Sequence, residues 1–273
     1  MMLTASDIAV CMRLPPEKII EYLAKKEVFI SWDWHDLWQE EHAGAKTIAK
    51  VTRLDILQDI YNALEKAAAE GKSGRWFRKE LEPVLQAKGW WGRITDVNPD
   101  TGEEQEIQAG SPWRLDTIFR TNMSMVYSGG RWAEQIQNAD DRTYGLYVAI
   151  RDSHTRPVHL LLDGTVLPLS HPFWQKYYPP NGWGCRCSVI TLTAQEVKER
   201  GLFIGGLEGV LGEKMQLVSR NTGEMRPVAT WTVGGKTVSP DPGFSYNPGV
   251  AYRPDLNKYS GPLAELAKQE LSQ

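Results

Sequence analysis

The sequence lacks long apolar runs. None of its hydrophobic stretches approaches the roughly 20 residues that an α-helix needs to cross a bilayer. No charged segment followed by an apolar one opens the chain, as it would in a secretory leader. We therefore expect a protein that does not span a membrane and is not exported by a signal peptide.

Cysteine is scarce, with 3 residues in a chain of 273. An odd and small number in a chain without a leader does not fit a disulfide framework. It fits free thiols or a metal site in a reducing compartment. A bridge between Cys185 and Cys187 is not expected, because an extended backbone holds their Cα atoms near or beyond the bridging limit.

An excess of positive charge is also missing, since 31 Lys and Arg residues face 34 Asp and Glu residues and the formal net charge is −3. This balance excludes a protein whose whole surface neutralises nucleic-acid phosphate, although a local basic face remains open. The sequence contains no phosphate-binding loop, no dinucleotide-binding glycine pattern and no His-Glu-x-x-His. These absences remove the commonest nucleotide-dependent and metalloprotease functions.

Tryptophan is abundant, with 11 residues. Most should fill the core, and the remainder are typical anchors in protein interfaces. The interior is therefore expected to be rich in aromatic rings.

The first half of the chain is predicted to be helical from its apolar spacing. A helix is expected over residues 17–26, and a long one over residues 33–70 that is broken, if anywhere, near Gly44. Gly71 ends that pattern, and a further helix covers residues 74–88.

Proline and turn residues divide the rest of this half. Pro83 predicts a kink or a break in the third helix, and residues 96–104 are too rich in turn residues to be core. Ser111 followed by Pro112 is a typical helix start. This helix is expected to continue to residue 141, with a bend at the glycine pair 129–130.

The second half changes to a mixed pattern. Strands are predicted over residues 144–151, 158–162 and 185–192, because these are β-branched or apolar runs of strand length. A capping box at Thr193 opens a short helix. The fold class is therefore predicted as α+β, with a helical N-terminal half, a compact mixed α/β domain and an extended irregular C-terminal tail.

Three regions follow from this pattern. Residues 1–110 form a helical docking region, residues 111–201 a compact core domain, and residues 202–273 a Gly/Pro-rich tail along a surface or partner, with a short helix over 262–271.

The most constrained stretch is residues 171–187, which holds five Phe, Trp and Tyr rings, a double proline and two cysteines. Proline fixes φ and glycine permits positive φ. The segment 179–182 is therefore predicted to be a rigid turn that presents Cys185-Arg186-Cys187 at a set angle. Such a turn suits a structural brace.

Residues 154–187 contain five zinc-compatible side chains: His154, His159, His171, Cys185 and Cys187. A Cys-x-Cys pair on a strand points both sulfurs to one face, but the usual structural zinc knuckle is Cys-x-x-Cys and a second pair is absent. We favour small thiols packed against the aromatic loop. A zinc site on His159, Cys185 and Cys187 remains open, and we expect substoichiometric zinc and no other cofactor.

A catalytic interpretation has less support. A cysteine with histidine as base is conceivable, and Arg186 would lower a thiolate pKa, yet no oxyanion element or catalytic motif accompanies them. An Arg–Asp pair bracing a turn explains Arg151, Arg156 and Asp163 equally well. We therefore predict a protein that is not an enzyme.

With these residues in place, the sequence resembles the Mu F-like minor head proteins of tailed bacteriophages and prophages. Residues 116–123, Tyr127 and residues 130–131 share this resemblance, as do residues 29–32 and 89–92. Val158 departs from the small residue expected before the histidine. The residues that carry the family motif, all with structural roles, are Arg156, His159, Asp163, Gly164, Phe173, Trp174, Pro179, Pro180, Asn181, Gly182, Cys185, Arg186 and Cys187.

The resemblance implies a virion protein present in few copies, in the head interior or at the portal vertex, and in the host cytoplasm during assembly. Its implied partners are the portal protein, the major capsid protein or a scaffold protein, and its implied role is procapsid assembly, extending in some relatives to DNA packaging or ejection. The resemblance leaves contact with packaged DNA open and implies neither dedicated nucleic-acid binding nor a membrane. The alternative is a metal- or thiol-dependent enzyme that processes nucleic acid, centred on His159, Cys185 and Cys187.

Overall fold

The computed structural model describes Leu23, residues 26–204 and residues 209–250. Helices in these residues are α1 (Glu41–Gly44), α2 (Leu54–Glu70), α3 (Gly74–Ala87), α4 (Pro112–Gln137), α5 (Pro157–Leu162), α6 (Phe173–Tyr177) and α7 (Ala194–Glu199). Strands are β1 (Glu27–Val28), β2 (Ala45–Lys46), β3 (Arg93–Val97), β4 (Glu104–Gln108), β5 (Tyr144–Val148), β6 (Val166–Pro168), β7 (Ser188–Leu192), β8 (Val210–Leu217), β9 (Met225–Val233) and β10 (Lys236–Val238). The predicted mixture of helix and strand is confirmed. None of the helices described combines the length and apolar character that crossing a bilayer requires.

Helices α2, α3 and α4 pack around one apolar core. Helix α2 ends at Gly71, which has a φ of 65°, so a residue without Cβ closes the helix at low cost. Helix α3 passes through Pro83 without interruption, and α4 passes through both glycines at 129–130. The core includes Leu57, Leu64, Phe77, Leu81, Leu115 and Val126.

The prediction of one long helix over residues 33–70 is wrong, because the range contains only the single turn of α1 before α2 begins at Leu54. Side chains upstream take the backbone donors that a helix would use. The Asp36 carboxylate accepts from the amides of Trp32 and Asp33 at 2.7 and 2.8 Å, and the Glu41 carboxylate accepts from the Trp38 amide at 2.5 Å. Such local bonds compete with helix formation. The predicted helix over residues 17–26 lies almost entirely outside the described residues.

An antiparallel hairpin of β3 and β4 separates α3 from α4. The polar segment predicted as an exposed loop forms its turn, where Gly102 has a φ of 72°. The expectation of a wholly helical N-terminal half is therefore corrected: helices α2 and α3 are framed by irregular chain and a hairpin.

The central sheet has the order β6-β5-β7 and is antiparallel throughout. Because side chains alternate along a strand, Leu146 and Val148 of β5 pack with α7 on one face, while Tyr147 belongs to the aromatic core on the other. The capping box predicted at Thr193 is present: its hydroxyl accepts from the Glu196 amide at 3.1 Å, and its amide donates to the Glu196 carboxylate at 2.8 Å.

The predicted strand over residues 158–162 is instead helix α5. Pro157 occupies its first turn, where the missing N–H costs nothing. Helical spacing places His159 and Leu162 on one buried face and leaves Leu160 and Leu161 exposed by 40 and 50%. The buried residues of this apolar run are three positions apart, which is helical spacing. A prediction based on the length of the run alone does not detect it.

The expectation of an irregular tail from residue 202 is also wrong for its described part. Strands β8, β9 and β10 form an antiparallel sheet, and Trp231 of β9 is 1% exposed within the aromatic core. The chain after β10 is buried too: the Ser245 hydroxyl accepts from the Ala229 amide at 3.1 Å, and the Asn247 amide group donates to the Trp174 carbonyl at 3.1 Å. The predicted terminal helix over residues 262–271 lies outside the described residues.

Candidate metal centre

Two cysteines and a histidine converge at one point. The Nδ1 atom of His159 lies 3.6 Å from the Cys185 sulfur and 3.5 Å from the Cys187 sulfur. The three potential ligand atoms all lie within 4.8 Å of one another, and His159 is 3% exposed. The tertiary fold therefore builds a compact cluster from two segments that are far apart in sequence.

Each segment reaches the cluster through its local structure. His159 lies on the buried face of α5. The two cysteines lie in the irregular chain just before β7, which starts at Ser188, so the strand predicted from residue 185 begins three residues later than expected. Between the cysteines, the Arg186 guanidinium donates to both carboxylate oxygens of Asp152 at 2.7 and 2.6 Å. This bidentate pair anchors the exposed side chain between the two converging thiols.

The turn before the cysteines is tightly braced. The Cys185 amide donates to the Gly182 carbonyl at 3.1 Å, and Arg156 donates to the Trp183 carbonyl at 2.7 Å. A Cβ added at Gly182 would overlap the carboxylate of Asp241, so a larger residue there requires the Asp241 side chain to move. The peptide bond between Pro179 and Pro180 is cis. The hydrogen-bonded turn thus spans residues 182–185, directly after the turn predicted at residues 179–182.

Asn181 connects the turn to the central sheet. Its side chain is fully buried, and its Oδ1 accepts from the Tyr147 hydroxyl at 2.7 Å. Its Nδ2 has no hydrogen-bond acceptor among the described residues. A buried N–H group without a partner costs free energy of folding. The packing around Asn181 therefore compensates for the missing hydrogen bond.

Asp163 closes the other side of the site. Its carboxylate accepts from the Ala149 amide at 2.8 Å and from the Arg151 guanidinium at 2.6 Å. The next residue, Gly164, has a φ of 83° and donates to the Tyr147 carbonyl at 2.9 Å. The structure thus contains an Arg–Asp pair bracing a turn, and neither residue belongs to the cluster.

Phe173 and Trp174 are fully buried residues of α6, in the aromatic core against which Cys187 packs. The Trp174 indole donates to the Pro168 carbonyl at 2.9 Å. His171 accepts from the Phe173 amide through Nδ1 at 3.1 Å, and His154 is exposed. Of the five histidines and cysteines within residues 154–187, three come together and these two histidines do not.

Protonation of one thiol depends on protonation of the other. A hydrogen bond from Cys187 lowers the pKa of the Cys185 thiol, with His159 adding to the effect, and the same bond raises the pKa of Cys187. The pair therefore favours one thiolate beside one thiol. Nearby, burial raises the pKa of Tyr147 well above its ordinary value.

A cleft of about 590 Å³ borders the cluster, and Cys185, Arg186, His154 and Arg120 are among its lining residues. Sequence reasoning missed Asp152, whose only signal was its place two residues before a histidine in a turn-forming segment. It also missed Tyr147 and Asp241, which gave no signal because their partners are remote in sequence. The cluster has the ligand chemistry of a soft metal site or a reactive thiol pair.

These features define an α+β protein with a buried His-Cys-Cys cluster held by a braced turn. The chain belongs to the Phage Mu protein F like family, whose model matches residues 58–190. It is 39% identical over 249 residues to the putative capsid assembly protein F of Escherichia phage Mu, an alignment that covers 90% of this chain and 56% of that protein. It is 42% identical over 197 residues to the Mu-like prophage FluMu F protein of Haemophilus influenzae, covering 71% of this chain and 46% of that protein.

The chain thus spans about half the length of the curated relatives that it matches. No solved structure matches it. The family recognised from the motif residues in the sequence is confirmed.

Proposed function

We propose that this protein is a minor structural head protein of a tailed bacteriophage or prophage and acts in head morphogenesis at or near the portal. The observation that carries the proposal is the similarity to capsid assembly protein F of phage Mu across 90% of this chain. Partners, in this proposal, are the portal protein and the major capsid or scaffold protein. The site of action is the head interior or the portal vertex, after assembly in the host cytoplasm.

The roles of the motif residues support a structural function. Arg156 holds the turn through the Trp183 carbonyl, Asp163 caps α5, and Asn181 ties the turn to β5. These contacts join elements of the fold to one another, as expected of a rigid domain to which neighbouring subunits bind. A formal charge of −3 agrees with contacts to proteins more than with dedicated binding of DNA.

A deletion of the gene in its own phage or prophage tests the proposal. We expect deletion lysates to lack normal DNA-filled heads in electron micrographs, and plasmid expression of the chain to restore them. Mass spectrometry of purified wild-type heads should find the chain at far lower copy than the major capsid protein. Normal heads and full phage titre after deletion would refute the proposed role.

We further propose that the main docking surface lies within residues 1–110. Helix α4 supplies Leu115 and Ile118 to the core that α2 and α3 share, so cutting the chain at residue 111 would expose that core. Lysine cross-linking of intact heads with the full chain avoids this problem. Lys66 and Lys79 report on the first region, and Lys176 and Lys198 report on the second as an internal control. Cross-links to the portal confined to the second pair would place docking elsewhere.

The competing hypothesis is a metal- or thiol-dependent enzyme that processes nucleic acid, and the clustering of His159 with both cysteines is the observation in its favour. Incubation of the purified chain with single-stranded and duplex DNA, with and without zinc, tests it. Cleavage that a Cys185→Ser change abolishes would establish this alternative. Under the head-protein proposal, we expect no cleavage by either form.

A further inference from the structure

We propose that His159, Cys185 and Cys187 bind one zinc ion through Nδ1 and the two sulfurs, with the fourth position open to a water molecule. The inference is independent of the role in head assembly. It assigns a ligand class to a cluster whose function none of the similarities specifies.

The cluster has the dimensions of a zinc site. Bond lengths of about 2.3 Å for zinc–sulfur and about 2.0–2.1 Å for zinc–nitrogen, at tetrahedral angles, separate the sulfur and nitrogen ligands by about 3.6 Å. The observed distances from His159 Nδ1 to the two sulfurs are 3.6 and 3.5 Å. Both nitrogen–sulfur separations therefore match those of a tetrahedral zinc site.

Hydrogen bonding alone accounts for only part of this arrangement. A single imidazole nitrogen offers either one proton or one in-plane lone pair, yet two sulfurs approach the Nδ1 atom of His159 at nearly equal distances. The two contacts therefore share one proton or one lone pair of this nitrogen. A metal ion satisfies all three atoms at once, because a neutral imidazole nitrogen and two thiolate sulfurs each donate a lone pair to it.

The ligand types select zinc. Two thiolates and an imidazole suit zinc and other soft or borderline ions, whereas magnesium and calcium require oxygen ligands. No carboxylate among the described residues joins the cluster. Two thiolates also balance the charge of a divalent ion, so the loaded site carries no net charge in its partly buried position.

The surroundings hold the ligands in place, as the supporting residues of metal sites do. Asp152 accepts two hydrogen bonds from Arg186, which lies between the two cysteines. The Gly182 carbonyl accepts a hydrogen bond from the Cys185 amide. Cys185 also lines the adjoining cleft, which gives an ion and a fourth ligand a route to the site. A bound zinc would fasten the start of β7 to α5.

This inference revises the expectation of substoichiometric zinc drawn from sequence spacing. That expectation treated the histidines as scattered and the cysteines as part of a strand. Three ligands with an open fourth position form a sufficient set for zinc, and we now expect one ion per chain when zinc is supplied.

Elemental analysis of the full chain, purified from zinc-supplemented medium without chelators, tests the proposal. We expect about one zinc per wild-type chain and a loss of at least tenfold in Cys185→Ser, Cys187→Ser and His159→Gln. The matched control is His154→Gln, a histidine that lines the same cleft outside the cluster, which should keep its zinc. Zinc below about one tenth per chain in the wild type, or full zinc in the Cys185→Ser/Cys187→Ser double variant, would overturn the proposal.

A second measurement needs no variant and so does not depend on whether the variants fold. X-ray absorption at the zinc edge of the wild-type protein should give two sulfur neighbours and at least one imidazole nitrogen per zinc. Removal of zinc should lower the melting temperature by roughly 5–10 °C, on the scale expected for a ligand well above its dissociation constant. A zinc shell without sulfur would show adventitious binding elsewhere and refute the site.

Discussion

The Tyr147 hydroxyl donates a 2.7 Å hydrogen bond to Asn181 across 34 residues, with both side chains fully buried. This bond joins the middle of the central sheet to the turn that carries the cysteines. It links the folding of the core directly to the geometry of the cluster.

Removing this hydroxyl should destabilise the protein. We expect Tyr147→Phe to lower the free energy of unfolding by about 1–3 kcal/mol, because it leaves the buried Asn181 Oδ1 without a donor. Denaturant titration followed by tryptophan fluorescence measures the change. Tyr144→Phe is the control, since Tyr144 lies on the same strand and its hydroxyl bonds to no described residue. Equal stability of the two variants would contradict the assigned importance of the bond.

The two tryptophans of the braced segment should differ. Trp174 is fully buried, and we expect Trp174→Ala to cost about 3–5 kcal/mol. Trp183 is 43% exposed and touches Phe244 edge-on at 5.1 Å between ring centroids, so Trp183→Ala should cost only about 1 kcal/mol. Chemical denaturation of both variants checks the ranking. A larger cost at Trp183 would refute it.

The segment after β10 should behave as core. Phe244 is 4% exposed, whereas Phe203 is 80% exposed. We expect Phe244→Ala to cost about 3–5 kcal/mol and Phe203→Ala to stay within about 0.5 kcal/mol of the wild type. Thermal and denaturant melts of the pair give the comparison. A neutral Phe244→Ala would mean that this segment lies on the surface after all.

The exposed ion pair between Asp152 and Arg186 should make the stability of the protein depend on pH. Hydrogen bonds from Arg186 hold the pKa of Asp152 well below its ordinary value of 3.8. Because the pKa is lower in the folded state, this stabilisation is present above about pH 4 and is lost as the pH falls through the folded-state pKa.

We therefore expect wild-type protein to melt above Asp152→Asn at pH 6, and the difference to shrink towards pH 2–3. Concentrated salt at pH 6 should also reduce it, since both side chains are solvent-accessible. A difference that does not change with pH or salt would show that the charge of Asp152 has no part in it.

Local signals explain which elements the sequence predicted. Helix α4 starts where Ser111 and Pro112 indicate, and α7 starts at the capping box of Thr193. Capping is a bond between residues three apart, so a short window contains all of it. The same window misled at residues 158–162, where a run of apolar residues has strand-like length, and at residues 33–53, where acidic side chains take backbone donors from a helix.

The candidate site was predictable in its residues but not in its geometry. The sequence supplied His159, Cys185 and Cys187 as zinc-compatible side chains, and it also supplied His154 and His171, which lie elsewhere. The spacing of these five residues in the sequence does not show which of them come together. The selection is made by the packing of α5 beside the chain that leads into β7.

The sequence by itself determined the family, the α+β class and the starts of the helices that Ser111 and Thr193 cap. These properties depend on residue identity and short-range bonding. Only the tertiary structure decided that His159 meets cysteines 26 and 28 residues away, and that Phe244 and Tyr246 enter the core. The physical reason is that burial and convergence depend on the sum of many weak long-range contacts, and no local pattern records that sum.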